Sequence, residues 1–227
     1  MYNQEIISQS CMVDNRLVGL PLYCDFGIMY SNIDLLHKYN KEIPQTWEEL
    51  YETGYEVMKG ESNNDSDLII FNGLGADDEI GTCFIYELLY SFRDSKNSTL
   101  PDFSSKESLD AFNMISKLKT LLNDYTSSDI TIVNSLYSGN SLFLRYWYMP
   151  DIPFYTISRL PGKNKDVSGS IIGGYNIGIS KYSPKDHQDS SIIVLKYFTS
   201  KDIQRKLSKD KKLISAIFSL YDEEEVC

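Results

Sequence analysis

Five side chains carry most of the chemistry legible in this 227-residue sequence: Asp25, Tyr30, Arg145, Trp147 and Tyr175. A carboxylate and a guanidinium make strong, directed hydrogen bonds, and aromatic rings offer flat apolar surface. Together they suit recognition of a small polar molecule held between two lobes. Asp25 and Tyr30 stand where the strand-like "GLPLYC" gives way to "DFGIMYSNIDLL". Trp147 ends "SLFLRYW" just before Pro150, and Arg145, two residues earlier, shares its strand face. Tyr175 follows Gly173 and Gly174, where the missing side chains let backbone approach closely.

Each residue also has a plainer reading. Asp25 can be a turn or helix-start acid, Tyr30 and Trp147 can be core, and Arg145 can form a surface ion pair or neutralise Asp25. Asp77, Asp78 and Glu79 precede a helix, where the helix dipole alone favours acids. Glu87 reads as structural. The 17 tyrosines fit sugar stacking or the coding bias that also enriches Asn, Lys and Ile.

The elements that must position these residues alternate between helix and strand. "RLVGLPLYC" reads as extended, and a short helix from Ser31 follows, with Ile33, Leu36 and Tyr39 on one side. Thr46 and Glu49 form a capping box ahead of a helix that buries Trp47, Leu50, Tyr51, Gly54, Tyr55 and Met58. "LIIFNG" is a buried strand, and a helical block covers Thr82 to Phe92. Ser104 and Glu107 cap a long helix with Leu109, Phe112, Ile115, Leu118 and Leu122 on one face. "SLFLRYW", "FYTISRL" and "IIGGYNIGIS" are strands. Pro184 and Ser200 start two helices, the first carrying Ile192, Leu195 and Phe198 on one side, and "SLYDEEEV" is an acidic helical end. This alternation argues for an α/β protein.

Composition narrows the function. Hydrophobic residues at 42% and charged residues at 24% are those of an ordinary folded domain. A net charge of −10 repels phosphate backbones, so nucleic acid is not an expected partner. No apolar run reaches the length of a membrane helix, and "MYNQEIISQS" does not read as a signal peptide. Cys11, Cys24, Cys83 and Cys227 are widely spaced, with only His37 and His187 to join them, so neither zinc nor another cofactor is expected. One or more disulfide bridges and four buried thiols are both open readings. Sequons at Asn64 and Asn97 lean toward a secretory chain. No nucleophile elbow, P-loop or His-Glu-x-x-His motif occurs.

Taken in order, the motifs resemble family 1 extracellular solute-binding proteins. The carriers are "GLPLYCDFGIMYSNIDLLHKY" with "IPQTWEEL", then "YSGNSLFLRYW", "ISRLPG" with "GGYNIGIS", "IIVLKYFTSKDIQRKL" and "SLYDEEEV". These blocks reach from Gly19 to Val226 in family order, nearest to the maltose- and trehalose-type branch. The resemblance implies a type II periplasmic-binding-protein-like fold, two lobes with a discontinuous chain. The first lobe is expected to be incomplete, because family members carry a longer stretch before the position of Gly19. It places the partial first lobe at about residues 1–25 and 159–205, and the second at 27–157 and 206–227. It implies non-catalytic binding of an oligosaccharide in the cleft between lobes. Asp25, at the lobe crossing, would accept sugar hydroxyls, and Trp147 would stack on a sugar face. Tyr175, which follows Gly174, stands where the family often has a tryptophan, and Glu79 aligns with the acid of a Tyr-Glu-Gly-Leu stretch. Tyr30 and Arg145 complete the candidate set. The implied setting is extracellular, cell-surface or, in a bacterium, periplasmic. The implied partner is a membrane transporter or a membrane-spanning receptor portion of the same parent chain. The competing readings are a glycoside hydrolase, which needs two carboxylates about 5–9.5 Å apart across a cleft, and a degenerate fragment that binds nothing.

Overall fold

The computed structural model describes residues 1–62, 67–73, 79–122 and 128–226. In chain order the principal elements are α1 (Gln4–Ser10), β1 (Met12–Val13), β2 (Arg16–Leu17), β3 (Leu20–Asn32), α2 (Ile33–Lys38), α3 (Trp47–Glu61), β4 (Ile69–Asn72) and α4 (Glu79–Ser91). They continue with α5 (Lys106–Leu118), α6 (Asp129–Ser138), β5 (Ser141–Trp147), β6 (Tyr155–Ser158), β7 (Ile172–Ile177), α7 (Lys185–Phe198) and α8 (Lys201–Lys209). The chain divides into two compact units. One comprises Met1–Phe26 and Ile172–Cys227, the other Gly27–Ile171.

The unit formed by residues 27–171 is built on four strands in the order β4-β5-β3-β6. The second half of β3 lies antiparallel between β5 and β6, and β4 runs parallel to β5. Gly27 faces Trp147 across the ladder, and Met29 faces Arg145. Met29, Phe71 and Phe143 pack with Trp47 and Leu50 of α3 and with Phe84 and Leu88 of α4 in one buried cluster. Each such fully buried side chain contributes about 1.5–3 kcal/mol.

Helix α3 begins as its sequence predicts. The Thr46 side chain accepts from the Glu49 N–H, and the Glu49 carboxylate accepts from Thr46 N–H at 3.2 Å. Trp47 then sits edge-on to Phe84 and donates from Nε1 to Ser91 Oγ at 2.8 Å.

Several elements depart from the sequence expectations. Ser31 belongs to β3 rather than to a helix, since it pairs with both Phe143 and Thr156; Asn32 caps α2 instead. Helix α5 is capped by Ser105 and buries Ser108, Ala111, Met114 and Leu118, while Leu109 and Phe112 are exposed. Small residues at Ser108 and Ala111 allow close packing, and the bulkier positions turn outward. Helix α6 had no counterpart in the sequence reading; it is capped by Ser128 and ends at Gly139 in the left-handed conformation.

In the unit formed by residues 1–26 and 172–227, the first half of β3 pairs antiparallel with β7, from Leu20–Ile177 to Phe26–Ile172. Tyr2, Cys24, Ala216, Ile217 and Leu220 form its buried cluster. Helix α7 carries no buried residue: Ile193, Val194 and Tyr197 are exposed, as are Ile192 and Phe198 on its expected apolar side. "SLYDEEEV" forms a short 3-10 turn at Phe218–Leu220 followed by turns, not a helix.

The compact units differ from the expected lobe boundaries in two places. Residues 206–227 group with the first unit, because Ala216, Ile217 and Leu220 pack on Tyr2 and Cys24. Residues 159–171 group with the second, where Leu160 joins the main core.

The acidic end of the chain is tied down by charge. Glu223 pairs with Arg205 of α8 and with Lys201 at 3.0 Å, and Glu225 pairs with Lys209 at 2.7 Å. Hydrogen bonds from Arg205, then from Lys201, hold the Glu223 carboxyl down to about 2 from an ordinary 4.5. A depressed carboxylate stabilises the fold fully above its unfolded value and loses that contribution as pH falls through the folded value. We therefore expect the unfolding midpoint to fall as pH drops from 4.5 toward 2, and Glu223→Gln to flatten that dependence, as read by circular dichroism melts.

Candidate functional site

The candidate residues fall into two groups, one in each unit. In the first unit, strand alternation puts Tyr23 and Asp25 on one face of β3, and register puts Tyr175 of β7 opposite Tyr23. The rings of Tyr23 and Tyr175 lie 5.3 Å apart with a 39° tilt. Tyr175 is 66% exposed, so most of its ring is available to a ligand. Asp25 is partly buried, and its Oδ1 accepts from the Phe26 N–H at 2.8 Å. Burial first, then the proximity of Tyr175 and Asp25, raises the Tyr23 pKa above its ordinary value, so the phenol stays a neutral hydrogen-bond donor.

Gly174 makes this arrangement possible. Its φ is +118°, and a Cβ there would lie 2.2 Å from the Tyr23 carbonyl oxygen. Only glycine holds that backbone against β3, and the next residue is thereby set beside Tyr23. Gly174, Tyr175 and Asp25 thus come together as one patch. Tyr23 belongs to it too and was missed in the sequence; its signal was the two-residue spacing from Asp25.

In the second unit, Trp147 is half-buried at the end of β5. Tyr30 lies under it as a fully buried residue. Its hydroxyl donates to the Trp147 carbonyl at 2.9 Å and accepts from the Met149 N–H at 2.7 Å. Its ring stands perpendicular to Tyr155, 6.2 Å away. Tyr30 is therefore a core residue that fixes the strand end, not a surface for ligand.

Arg145 is corrected in the same way. It is completely buried, and its Nε donates to Glu87 Oε2 at 2.7 Å in an ion pair with no solvent exposure on either side. Neither a surface ion pair nor direct contact with a ligand fits that position. Glu87 is structural, as its sequence context suggested. Its Oε1 accepts from Ile171 N–H at 3.1 Å and lies 3.3 Å from Ser170 Oγ.

Glu79 is the exposed first residue of α4. Asp77, Asp78, the Asn64 sequon and Cys227 lie outside the described residues. Asn97 is exposed in a loop. Cys11, Cys24 and Cys83 are buried and in no disulfide among the described residues, and burial pushes the Cys24 thiol up. Among the described residues, no group of His, Cys, Asp or Glu is placed to hold a metal ion, and no helix is long and apolar enough to cross a membrane.

Removing one partner of a fully buried ion pair leaves an uncompensated charge. Arg145→Met should lower stability by about 3–5 kcal/mol, whereas the double variant Arg145→Met/Glu87→Gln should recover most of that loss. Urea unfolding of the three proteins checks both expectations.

No family model matches the sequence. A curated relative, a probable ABC transporter-binding protein of Deinococcus radiodurans, is 24% identical over 97% of this chain and 56% of its own length. Among solved structures, maltose-bound MalE3 of T. maritima is similar at a TM-score of 0.77 and 21% identity, covering 99% of this chain and 61% of that one. An ABC transporter solute-binding protein of Thermotoga lettingae, bound to α-D-tagatose, also gives 0.77, at 18% identity, with 99% and 60% covered. The GacH receptor of Streptomyces glaucescens gives 0.74 at 18% identity, with 99% and 59% covered. The chain spans about three-fifths of the length of these relatives, and over that span it has their fold, a type II periplasmic-binding-protein-like α/β fold.

Proposed function

We propose that the chain is part of a non-catalytic carbohydrate-binding protein that presents sugars to a membrane transporter outside the cytoplasm. The observation that carries this reading is the patch on β3 and β7: the Asp25 carboxylate beside the tilted Tyr23–Tyr175 pair, with Gly174 holding the backbone close. A sugar offers hydroxyls at its edge and C–H groups on its faces. A carboxylate accepts from the hydroxyls, and tyrosine rings lie against the faces. The half-exposed Trp147 supplies a second aromatic surface of the same kind. The fold relatives support the choice of ligand, since maltose and α-D-tagatose are bound by two of them.

Binding is favoured over hydrolysis by what the acids do. Glu87 is locked in its ion pair, and Glu223 and Glu225 are tied to cations of α8 and its start. That engages three carboxylates in holding the fold.

Isothermal titration of the 227-residue chain against a panel of oligosaccharides tests the proposal. Saturable heat is expected with at least one member. Asp25→Asn should weaken it about ten- to a hundredfold, the loss of a charge-assisted hydrogen bond, and Tyr175→Ala should weaken it by a smaller factor. Absence of heat across the panel, or an unchanged affinity in both variants, would overturn the reading. Release of sugar from a chromogenic glycoside would replace it with an enzymatic one.

A further inference from the structure

The proposed function leaves Arg145 without a part, because a side chain with no exposed surface cannot touch a ligand. Stability does not account for it either: well-packed apolar residues serve a buried site as well as an ion pair does. Its surroundings are nonetheless arranged with care. Of its three guanidinium nitrogens Nε is bonded to Glu87, and Nη1 and Nη2 are buried with no hydrogen-bond partner among the described residues. An aromatic face lies beside them: the guanidinium carbon is 5.2 Å from the centroid of the Trp147 ring, inside the range of a cation–π contact. Arg145 and Trp147 are two residues apart on β5, so their side chains leave the same face of the strand.

Two glycines make the room. Gly27 stands opposite Trp147 in the β3–β5 ladder, and a Cβ there would lie 2.3 Å from Glu87 Oε1 and 2.9 Å from Arg145 Nη2. Gly73 has φ +124°, and its Cβ would lie 2.8 Å from the Arg145 Cβ. The guanidinium is thus enclosed beside the indole, with Glu87 fixing its Nε edge.

We infer that Arg145 is a positioning residue, whose guanidinium, anchored by Glu87, holds the Trp147 indole in the orientation in which it meets ligand. The inference rests on the proposed role of Trp147 in sugar contact, and it extends that role to a buried pair that never touches the sugar. Glu87 reaches further still: by accepting from Ile171 N–H it fixes the same carboxylate to the last residue of this unit.

The sequence contains two tryptophans, and Trp47 is 1% exposed, so dynamic quenching of the chain by acrylamide reports mainly on Trp147. Subtraction of the Trp147→Phe protein removes the remainder. The measurement uses the full chain without ligand. Glu87→Gln, which keeps the shape and frees the guanidinium from its anchor, and Glu87→Gln/Arg145→Met, which removes the cation as well, should each raise the Trp147 quenching constant about twofold and lower its anisotropy, because the ring loses its fixed cationic support. Arg145→Lys keeps a charge within reach of both partners and should stay near the parent value. A merely structural pair would alter the melting temperature and leave the quenching of folded protein alone. Either neutralised variant, folded by a cooperative melt yet quenched as the parent is, would overturn the inference. So would Arg145→Lys, folded, behaving like the neutral variants. Because no sugar is present, failure of the parent chain to bind any sugar would sink the binding proposal without altering this result. Sugar binding with unchanged quenching in the variants would do the reverse.

Discussion

One extended segment has to serve two sheets. Residues 20–26 of β3 pair with β7, Cys24 also bridging Ile214, whereas residues 27–31 pair with β5 and residues 29–32 with β6. Where the partners change, backbone groups risk losing their hydrogen bonds, and each buried loss costs about as much as a typical bond contributes. The residues around that point answer the constraint. Gly27 gives up its side chain, Ser170 Oγ donates to the Gly27 carbonyl at 2.8 Å, and Glu87 accepts from Ile171 N–H. An acid on α4 therefore does from beneath what a neighbouring strand does elsewhere.

That arrangement explains which parts of the molecule could be read without coordinates. The Thr46–Glu49 capping box and the "LIIFNG" strand were legible because local chemistry decides them. So was the alternation of helices and strands, which set the α/β class even though α6 went unread. The buried face of α5 was legible only in part: Leu118 is buried and Ile115 packs on the core as expected, but Ser108 and Ala111 pack closely where the bulkier Leu109 and Phe112 turn outward. Arg145 was placed on the right strand and Tyr30 at a helix start that is in fact strand β3, yet the polar ends of both found partners inside the protein, at Trp147, Met149 and Glu87. A polar group can be satisfied by ligand or by fold, and only three-dimensional neighbours distinguish the two.

The Asp25 patch was half visible for a related reason. Asp25, Gly174 and Tyr175 stood out by residue type. Tyr23 did not, because its membership depends on the register of β3 against β7. Register follows from long-range pairing, and in this sheet it is pinned by a glycine in a conformation that other residues resist. The same glycine that stood out in the sequence sets the backbone approach that brings the Tyr23 and Tyr175 rings together.

Helix α7 bears on how the molecule behaves in solution. It turns Ile193, Val194 and Tyr197 to water on a chain of net charge −10. Contiguous apolar surface draws copies together, and like charge drives them apart. Added electrolyte weakens the second force over a distance of about 10 Å at 0.1 M and leaves the first untouched. Ionic strength thereby governs colloidal behaviour: dilute buffer keeps the molecules dispersed, and concentrated salt turns that helix into the adhesive part of the surface.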